Sequence, residues 1–589
     1  MDMQGFYKGN SFDAYEWLGA HFSDDGVIFR TYAPNATKVE LILENNIFPM
    51  KKIYDGNFYE VIVQNVEPGS LYEYRIYHRD GKDQIHCDPY GFGMELRPKH
   101  KSIVRDLKEY VFQDGAWMRN RAAMFDKPLN VYEMHMGSWK KNQDEWYRYD
   151  ELTDLLIPYL KEKGYNYVEF LPLSEHPCDE SWGYQNTGFF APTSRYGTSR
   201  DLMVLIDKLH QNNIGAILDF VPVHFAVDSY ALATYDGTAL YEYPHQDVGV
   251  SEWGSYNFLH SRGEVRSFLQ SAANYWLKEY HFDGLRMDAI SRMIYWQGDE
   301  NRGENGKAVE FIKVMNQGLK ERNPGILLAA EDSTSYPKVT APVRYDGLGF
   351  DYKWDMGWMH DTLEYFQAPP KERIEKYHKL TFSMVYFYNE KYMLALSHDE
   401  VVHGKATIIQ KMNGGYDVKF PQARALYMYM YAHPGKKLNF MGNEIGQFRE
   451  WDEQREQDWD ILKYPAHDSF ARYMKDLCSI YQNNSALYER DYDQAGFNWI
   501  DCHQEEKCIY VFERVGNGQR ILFIFNFSDK KQVYTFKNAD FNSMKLLLAS
   551  DNEIYGGCEN YSKKRSTRLK EGTAEIKINA FTGLMYEIK

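Results

Sequence analysis

No stretch of this sequence reaches the ~20 apolar residues that a membrane span needs, and the N-terminus, MDMQGFYKGNSFDAYEW, has no basic region followed by an apolar run. Both absences argue against membrane insertion and secretion. Basic residues do not predominate either: the formal net charge is -16, which argues against a nucleic-acid or anionic-membrane partner, since both are attracted mainly by clustered Lys and Arg. Six cysteines are scattered without a CxxC pair, so neither a zinc site nor a disulfide framework is expected, and reduced thiols point to a cytoplasmic protein. No G-x-G-x-x-G follows a predicted strand, so a dinucleotide-binding sheet is not expected. Internal repeats and low-complexity segments are also missing.

Aromatic residues are abundant, at 16% of the 589 positions, with 48 Tyr among them. Most are expected in the core, because these large side chains dominate packing. A minority, as in Trp182-Gly-Tyr184-Gln, fall in polar loops, where a flat ring suits stacking on a sugar.

Residues 1–105 read as a β-sandwich module: Gly26–Pro34, Val39–Leu43, Phe58–Val63 and Tyr72–Tyr77 are short strand-like runs between turn residues. Residues 106–490, opening on a linker of 106 to about 127, then alternate strands with amphipathic helices. Strands are predicted over 129–136, 165–173, 214–221, 282–290, 326–331, 392–397 and 437–441. Helices are predicted near 150–163, over 199–212 and 264–280, and around 306–322. In the third of these helices Val265, Phe268, Leu269, Ala272, Ala273, Trp276, Leu277 and Tyr280 follow helical spacing, with Asn274 and Lys278 outside the stripe. Alternation of this length implies parallel strands with helical crossovers, and about eight units fit a (β/α)8 TIM barrel. Residues 491–589 return to strands. The expected fold class is therefore multidomain α/β: a central (β/α)8 barrel between an N-terminal β-sandwich and a C-terminal all-β domain.

Within 282–290, Arg286 and Asp288 lie on one face of a strand end. Taken alone, such a pair reads as a structural ion pair. If the middle region is a barrel, however, Asp219, Asp288, Glu331 and Asp399 all fall at strand ends that converge on the face where this fold keeps its chemistry. The same ends carry Arg286, His224 and His398. Two carboxyl groups across a site are what glycosidic cleavage requires. Asp288, beside a cation, suits the nucleophile. Glu331, following Leu-Leu-Ala-Ala, is expected to meet apolar and acidic surroundings that keep it protonated, which suits the acid.

The segments Asp219-Phe-Val-Pro-Val-His224, Gly284-Leu-Arg286-Met-Asp288, Ala330-Glu331-Asp332-Ser333 and Leu396-Ser-His398-Asp399-Glu400 resemble the four ordered sequence regions of the α-amylase superfamily. Val131-Tyr-Glu-Met-His-Met-Gly-Ser-Trp, Trp182-Gly-Tyr-Gln, Lys353-Trp-Asp-Met-Gly-Trp-Met, His398-Asp-Glu-Val-Val-His-Gly-Lys and Phe440-Met-Gly-Asn-Glu-Ile-Gly-Gln narrow the likeness to 1,4-α-glucan branching enzymes. Ala33-Pro-Asn-Ala and Asp88-Pro-Tyr extend it to that family's starch-binding-type sandwich.

The resemblance implies a retaining double displacement that cleaves an α-1,4-glucan and transfers the segment to a 6-hydroxyl. It makes Asp288 the nucleophile, Glu331 the general acid/base and Asp399 the third carboxylate, and it puts Asp219, His224, Arg286, His398 and Tyr184 around the reacting glucose. Glu444 would reach the site from the last barrel strand. For Tyr184 and Glu444 an ordinary loop or core-edge position stays open. An α-glucan hydrolase on the same scaffold, and a glucan-binding protein without chemistry, remain alternatives.

The implied partner is glycogen or an amylose-like glucan, with no cofactor, and the protein is expected to be a monomer or weak oligomer. Val223 stands where many α-amylases carry an Asn suited to calcium, so no metal is expected. Glu44-Asn-Asn-Ile-Phe-Pro replaces the module's usual Gly-Asp-Phe-Asn-x-Trp, which removes the stacking Trp at that place. The module begins almost at residue 1, which predicts no additional domain before it.

Overall fold

The alternation read along the first strands becomes alternating burial in a computed structural model that describes residues 2–538, 542–561, 566–570 and 572–589. In Gly26–Tyr32, Val27, Phe29 and Thr31 are buried while Ile28 and Arg30 are partly exposed. This strand lies between Gly19–Ser23 and Phe58–Val63, with Lys51–Ile53 at the edge. A second sheet is built on Lys38–Leu43 and Leu71–Tyr77, flanked by Asn46–Pro49 and Asp83–His86. Its last strand ends at Ile103.

Eight strands close a barrel: Asn130–Met134, Tyr167–Phe170, Gly215–Phe220, Gly284–Met287, Leu327–Ala330, Tyr352–Trp354, Tyr392–Leu396 and Lys436–Phe440. Six lie within the predicted strands, and Lys436–Phe440 begins one residue before the strand predicted over 437–441. The sixth, Tyr352–Trp354, falls in the region between the strands predicted at 326–331 and 392–397. It has three residues, all buried, so no alternation marks it. The linker over 106–127 contains a helix, Gly115–Asn120.

The chain divides into two compact units, one of Met1–Ala123, His135–Ile157 and Glu169–Asp351, the other of Met124–Met134, Pro158–Val168 and Tyr352–Lys589. In the first unit the helix Gly263–Glu279 buries the expected apolar stripe, and polar residues outside the stripe are buried as well. Asn274 is 3% exposed. Its amide donates to Phe12 O at 2.9 Å, Gln270 donates to Gly9 O at 3.0 Å, and Ser267 and Ser271 accept from the Ser11 and Ala14 N–H groups. The N-terminal segment lies outside the sheets, so these side chains satisfy the backbone groups that a sheet would otherwise pair. Lys278 stays outside and pairs with Glu16 at 2.5 Å.

In the second unit a six-stranded sheet runs in the order Phe497–Gln504, Ile509–Gly516, Gln519–Asn526, Thr582–Ile588, Ser543–Ala549 and Ser566–Arg568. Gln532–Lys537 and Thr573–Ile578 pair beside it. Ile509, Val511, Leu522, Ile524, Phe536 and Ile578 share its core. Asp491, wholly buried, takes Arg514 at 2.6 Å and Lys436 of the last barrel strand at 3.0 Å. Among the described residues no helix is long and apolar enough to cross a membrane, and the six cysteines are free thiols.

Candidate active site

The register of two barrel strands sets the first half of the site. Gly215–Phe220 and Gly284–Met287 run parallel with Asp219 opposite Arg286, so the carboxylate and the guanidinium extend from neighbouring strands at one level. Arg286 is 1% exposed, and burying a guanidinium is costly unless it is paired. It is paired several times over. Nη1 donates to Asp219 Oδ1 and Oδ2 at 2.8 and 2.6 Å and to Asp288 Oδ1 at 2.8 Å. Nη2 meets Glu331 Oε2 at 2.9 Å. Burial works against the charge of Arg286, but Asp219 and then Glu331 outweigh it and hold the group more firmly protonated than a free arginine.

The backbone makes a sharp turn beyond Asp288. Ala289 has φ +47°, in the left-handed region that L-residues usually avoid, and its N–H donates to Glu331 Oε2 at 3.0 Å. Glu331 is thus held from two sides by donors. The apolar surroundings expected for it are not what its carboxyl meets: Leu327–Ala330 are apolar, but the side chain turns off the strand end onto Arg286, which it shares with the acidic neighbours Asp219 and Asp288.

Tyr184 is half-buried, and its hydroxyl donates to Asp219 Oδ2 and accepts from Arg286 Nη1 at 3.4 Å. His224 is 3% exposed; burial, with Arg292 adding, pushes its pKa down to about 4. Its ring lies 5.2 Å from that of Trp253, a contact the sequence did not suggest.

The second unit carries the other predicted residues. Glu133, wholly buried on the first barrel strand, accepts from the His398 backbone N–H at 3.0 Å and from its Nδ1 at 2.6 Å. That bond fixes the ring and leaves Nε2 outward, 3.6 Å from Asp399 Oδ1. Strand alternation puts Tyr132 on the opposite face from Glu133, and it is there that Glu444 sits. Its carboxyl accepts from Tyr132 at 2.8 Å and from Tyr159 of the helix Tyr149–Lys163. Burial raises its pKa. The expectation that Glu444 reaches the site is corrected: its short 3-10 turn, Asn443–Ile445, directs the side chain to the tyrosines on the helix side. Glu133, which positions His398, was missed as a site residue although it lies inside a quoted motif.

Comparison with known proteins adds the family. Residues 142–242 and 254–527 match the α-amylase catalytic domain, residues 17–91 match carbohydrate-binding module 48 (isoamylase N-terminal domain), and residues 499–589 match the α-amylase C-terminal all-β domain. The 1,4-alpha-glucan branching enzyme GlgB of Bacillus caldolyticus is 42% identical over 96% of this chain and 87% of its own. The GlgB proteins of Bacillus subtilis (strain 168) and Fusobacterium nucleatum are 40% and 41% identical, over 96% and 98% of the chain and 92% and 97% of theirs. The chain belongs to the 1,4-alpha-glucan branching enzyme family. Solved structures share this family's fold at low identity. A pullulanase type I from Bacillus subtilis superposes with TM-score 0.76 at 18% identity over 97% of this chain and 85% of its own. A putative alpha amylase from Salmonella typhimurium gives 0.73 at 18% over 97% and 100%.

Proposed function

We propose that the protein is a branching transglycosylase acting on α-1,4-glucan. The Asp288 carboxylate attacks the anomeric carbon, the bond from that carbon to the glycosidic oxygen breaks, and Glu331 gives its proton to that oxygen. A β-linked glucosyl-enzyme results. Glu331 then takes the proton of a 6-hydroxyl on another glucan segment, and that oxygen displaces Asp288 to leave an α-1,6 branch. Two inversions retain the configuration.

Arg286 supports this reading of the chemistry because one guanidinium holds both carboxyl groups from adjacent strand ends, which keeps them within the reach of a single glycosidic bond. Tyr184 and Asp219 line the same cluster and take the reacting glucose, and His224 joins them in this reading as a ring that burial keeps neutral. Asp399, with His398 oriented by Glu133, is the third carboxylate that binds ring hydroxyls as oxocarbenium character develops. Branching rather than hydrolysis requires that a glucan hydroxyl, not water, capture the intermediate. The observation that carries this choice is the 40–42% identity to branching enzymes across nearly the whole chain.

Amylose incubated with the protein tests it. Branching lowers iodine absorbance with few new reducing ends; hydrolysis raises reducing ends in step with the loss of stain; a protein that only binds glucan changes neither. Asp288→Asn is expected to abolish the iodine change while leaving retention on glycogen intact, and residual turnover would refute the nucleophile assignment.

A further inference from the structure

Tyr54, at 69% exposure, is the most exposed aromatic side chain among the described residues. It stands at the hairpin between Lys51–Ile53 and Phe58–Val63 with φ +54°, a conformation in which Gly or Asn is comfortable and a bulky residue is strained. The turn itself therefore gives no reason for a tyrosine. Beside it lies the half-buried Trp17, with ring centroids 5.5 Å apart and planes at 60°. Trp17 is held by buried Phe58, edge-to-face at 5.3 Å, and by the Arg30 guanidinium, which lies 4.8 Å over one face of its ring and is itself fixed by Glu60 at 2.6 Å. The rim is polar: Asp55 accepts from the Tyr7 hydroxyl at 2.5 Å, and Asn57 donates to that hydroxyl at 3.1 Å.

We propose that Trp17 and Tyr54 form a glucan-binding platform on the N-terminal module. Its sheet is the one containing Gly26–Tyr32, not the one bearing Glu44–Pro49, where the stacking Trp is missing. A sugar ring offers C–H groups on its faces and hydroxyls at its edge, which matches aromatic surfaces bordered by a guanidinium, carboxylates and an amide. The inclination of the rings selects the ligand. An α-1,4-linked chain turns from each residue to the next, so successive sugars fit platforms set at an angle, whereas a flat β-1,4 chain needs coplanar ones. The match of residues 17–91 to carbohydrate-binding module 48 is consistent with this occupant. The platform would hold a long glucan to the protein without entering the chemistry, and its ligand rests on the α-glucan reading above.

Affinity electrophoresis of the full chain in gels containing glycogen, with a β-1,4-glucan gel as control, tests the platform. Tyr54→Gly and Trp17→Ala are each expected to weaken retardation by glycogen roughly threefold to tenfold, with the branching rate on short amylose unchanged. Tyr54→Gly also removes the left-handed strain, so its melting temperature should hold or rise. Unchanged retardation of Tyr54→Gly, a melting temperature that falls with it, equal retardation in both gels, or a wild-type protein that branches amylose without being retarded would each overturn the platform. A wild-type protein retarded by glycogen but inert towards amylose would overturn the catalytic reading instead.

Discussion

At the scale of single residues, Arg286 decides most of the site. It occupies both ends of its guanidinium with carboxylates from three strand ends, a role that lysine cannot copy because its ammonium is a single point charge. Arg286→Lys is therefore expected to lower kcat by roughly a hundredfold or more, since misplacing reacting groups by about an ångström costs that much, while glycogen retention is preserved. Steady-state branching assays check it, and a kcat within a few-fold of wild type would show that the carboxyl groups are placed by something else. The pairing of Arg286 with Asp288 was legible in the sequence because two residues on one strand share a face. Its bonds to Asp219 and Glu331 required the barrel register. Glu133 was not legible as a site residue, because its partner His398 lies 265 positions away and neither residue's local pattern refers to the other.

At the scale of elements, the four predicted helices and most barrel strands were legible in the sequence pattern, whereas the helices Tyr416–Ala432 and Pro465–Asn483 were not predicted and the three-residue strand Tyr352–Trp354 was too short to show any periodicity. The fourth barrel strand carries a tighter constraint. A Cβ on Gly284 would stand 2.3 Å from Leu327 O of the next strand, a backbone atom that cannot move without opening the barrel. Gly284→Ala is expected to destabilise the protein by about 1–3 kcal/mol or more, read as a lower urea midpoint, and an unchanged midpoint would mean that the strands separate there at little cost. The helix Gly263–Glu279 shows the opposite case. Its apolar stripe was predictable, but the use of Asn274, Gln270, Ser267 and Ser271 was not, because polar residues on a helix ordinarily face water.

At the scale of the whole molecule, buried histidines set the response to pH. Burial lowers His86, His224 and His260 to about 4 and His176 and His433 to about 3, from 6.5. The unfolded chain takes up these protons before the folded one does, so their contribution to stability is full above pH 6.5 and is lost as pH falls towards 4. For His210, burial is outweighed by Asp283 and Asp114, which raise it to about 9, so its contribution is full below 6.5 and fades as pH rises to 9. These histidines are expected to lower urea midpoints at pH 5 and pH 9 relative to pH 7, against an opposing gain below pH 6 from Asp88 and Asp355, which burial raises to about 6; midpoints that rise from pH 7 to pH 5 would show that the carboxyls prevail over the rings.

The clasp between residues 6–14 and the helix Gly263–Glu279 bears on synthesis. Residues 6–14 depend for their backbone hydrogen bonds on side chains made about 250 residues later, as in the bond from Asn274 to Phe12 at a separation of 262. At ~5–20 residues per second, the N-terminal segment waits undocked through that interval. The same helix leads directly into the strand that carries Arg286, so the nascent chain finishes anchoring residues 6–14 just as it starts to build its catalytic centre.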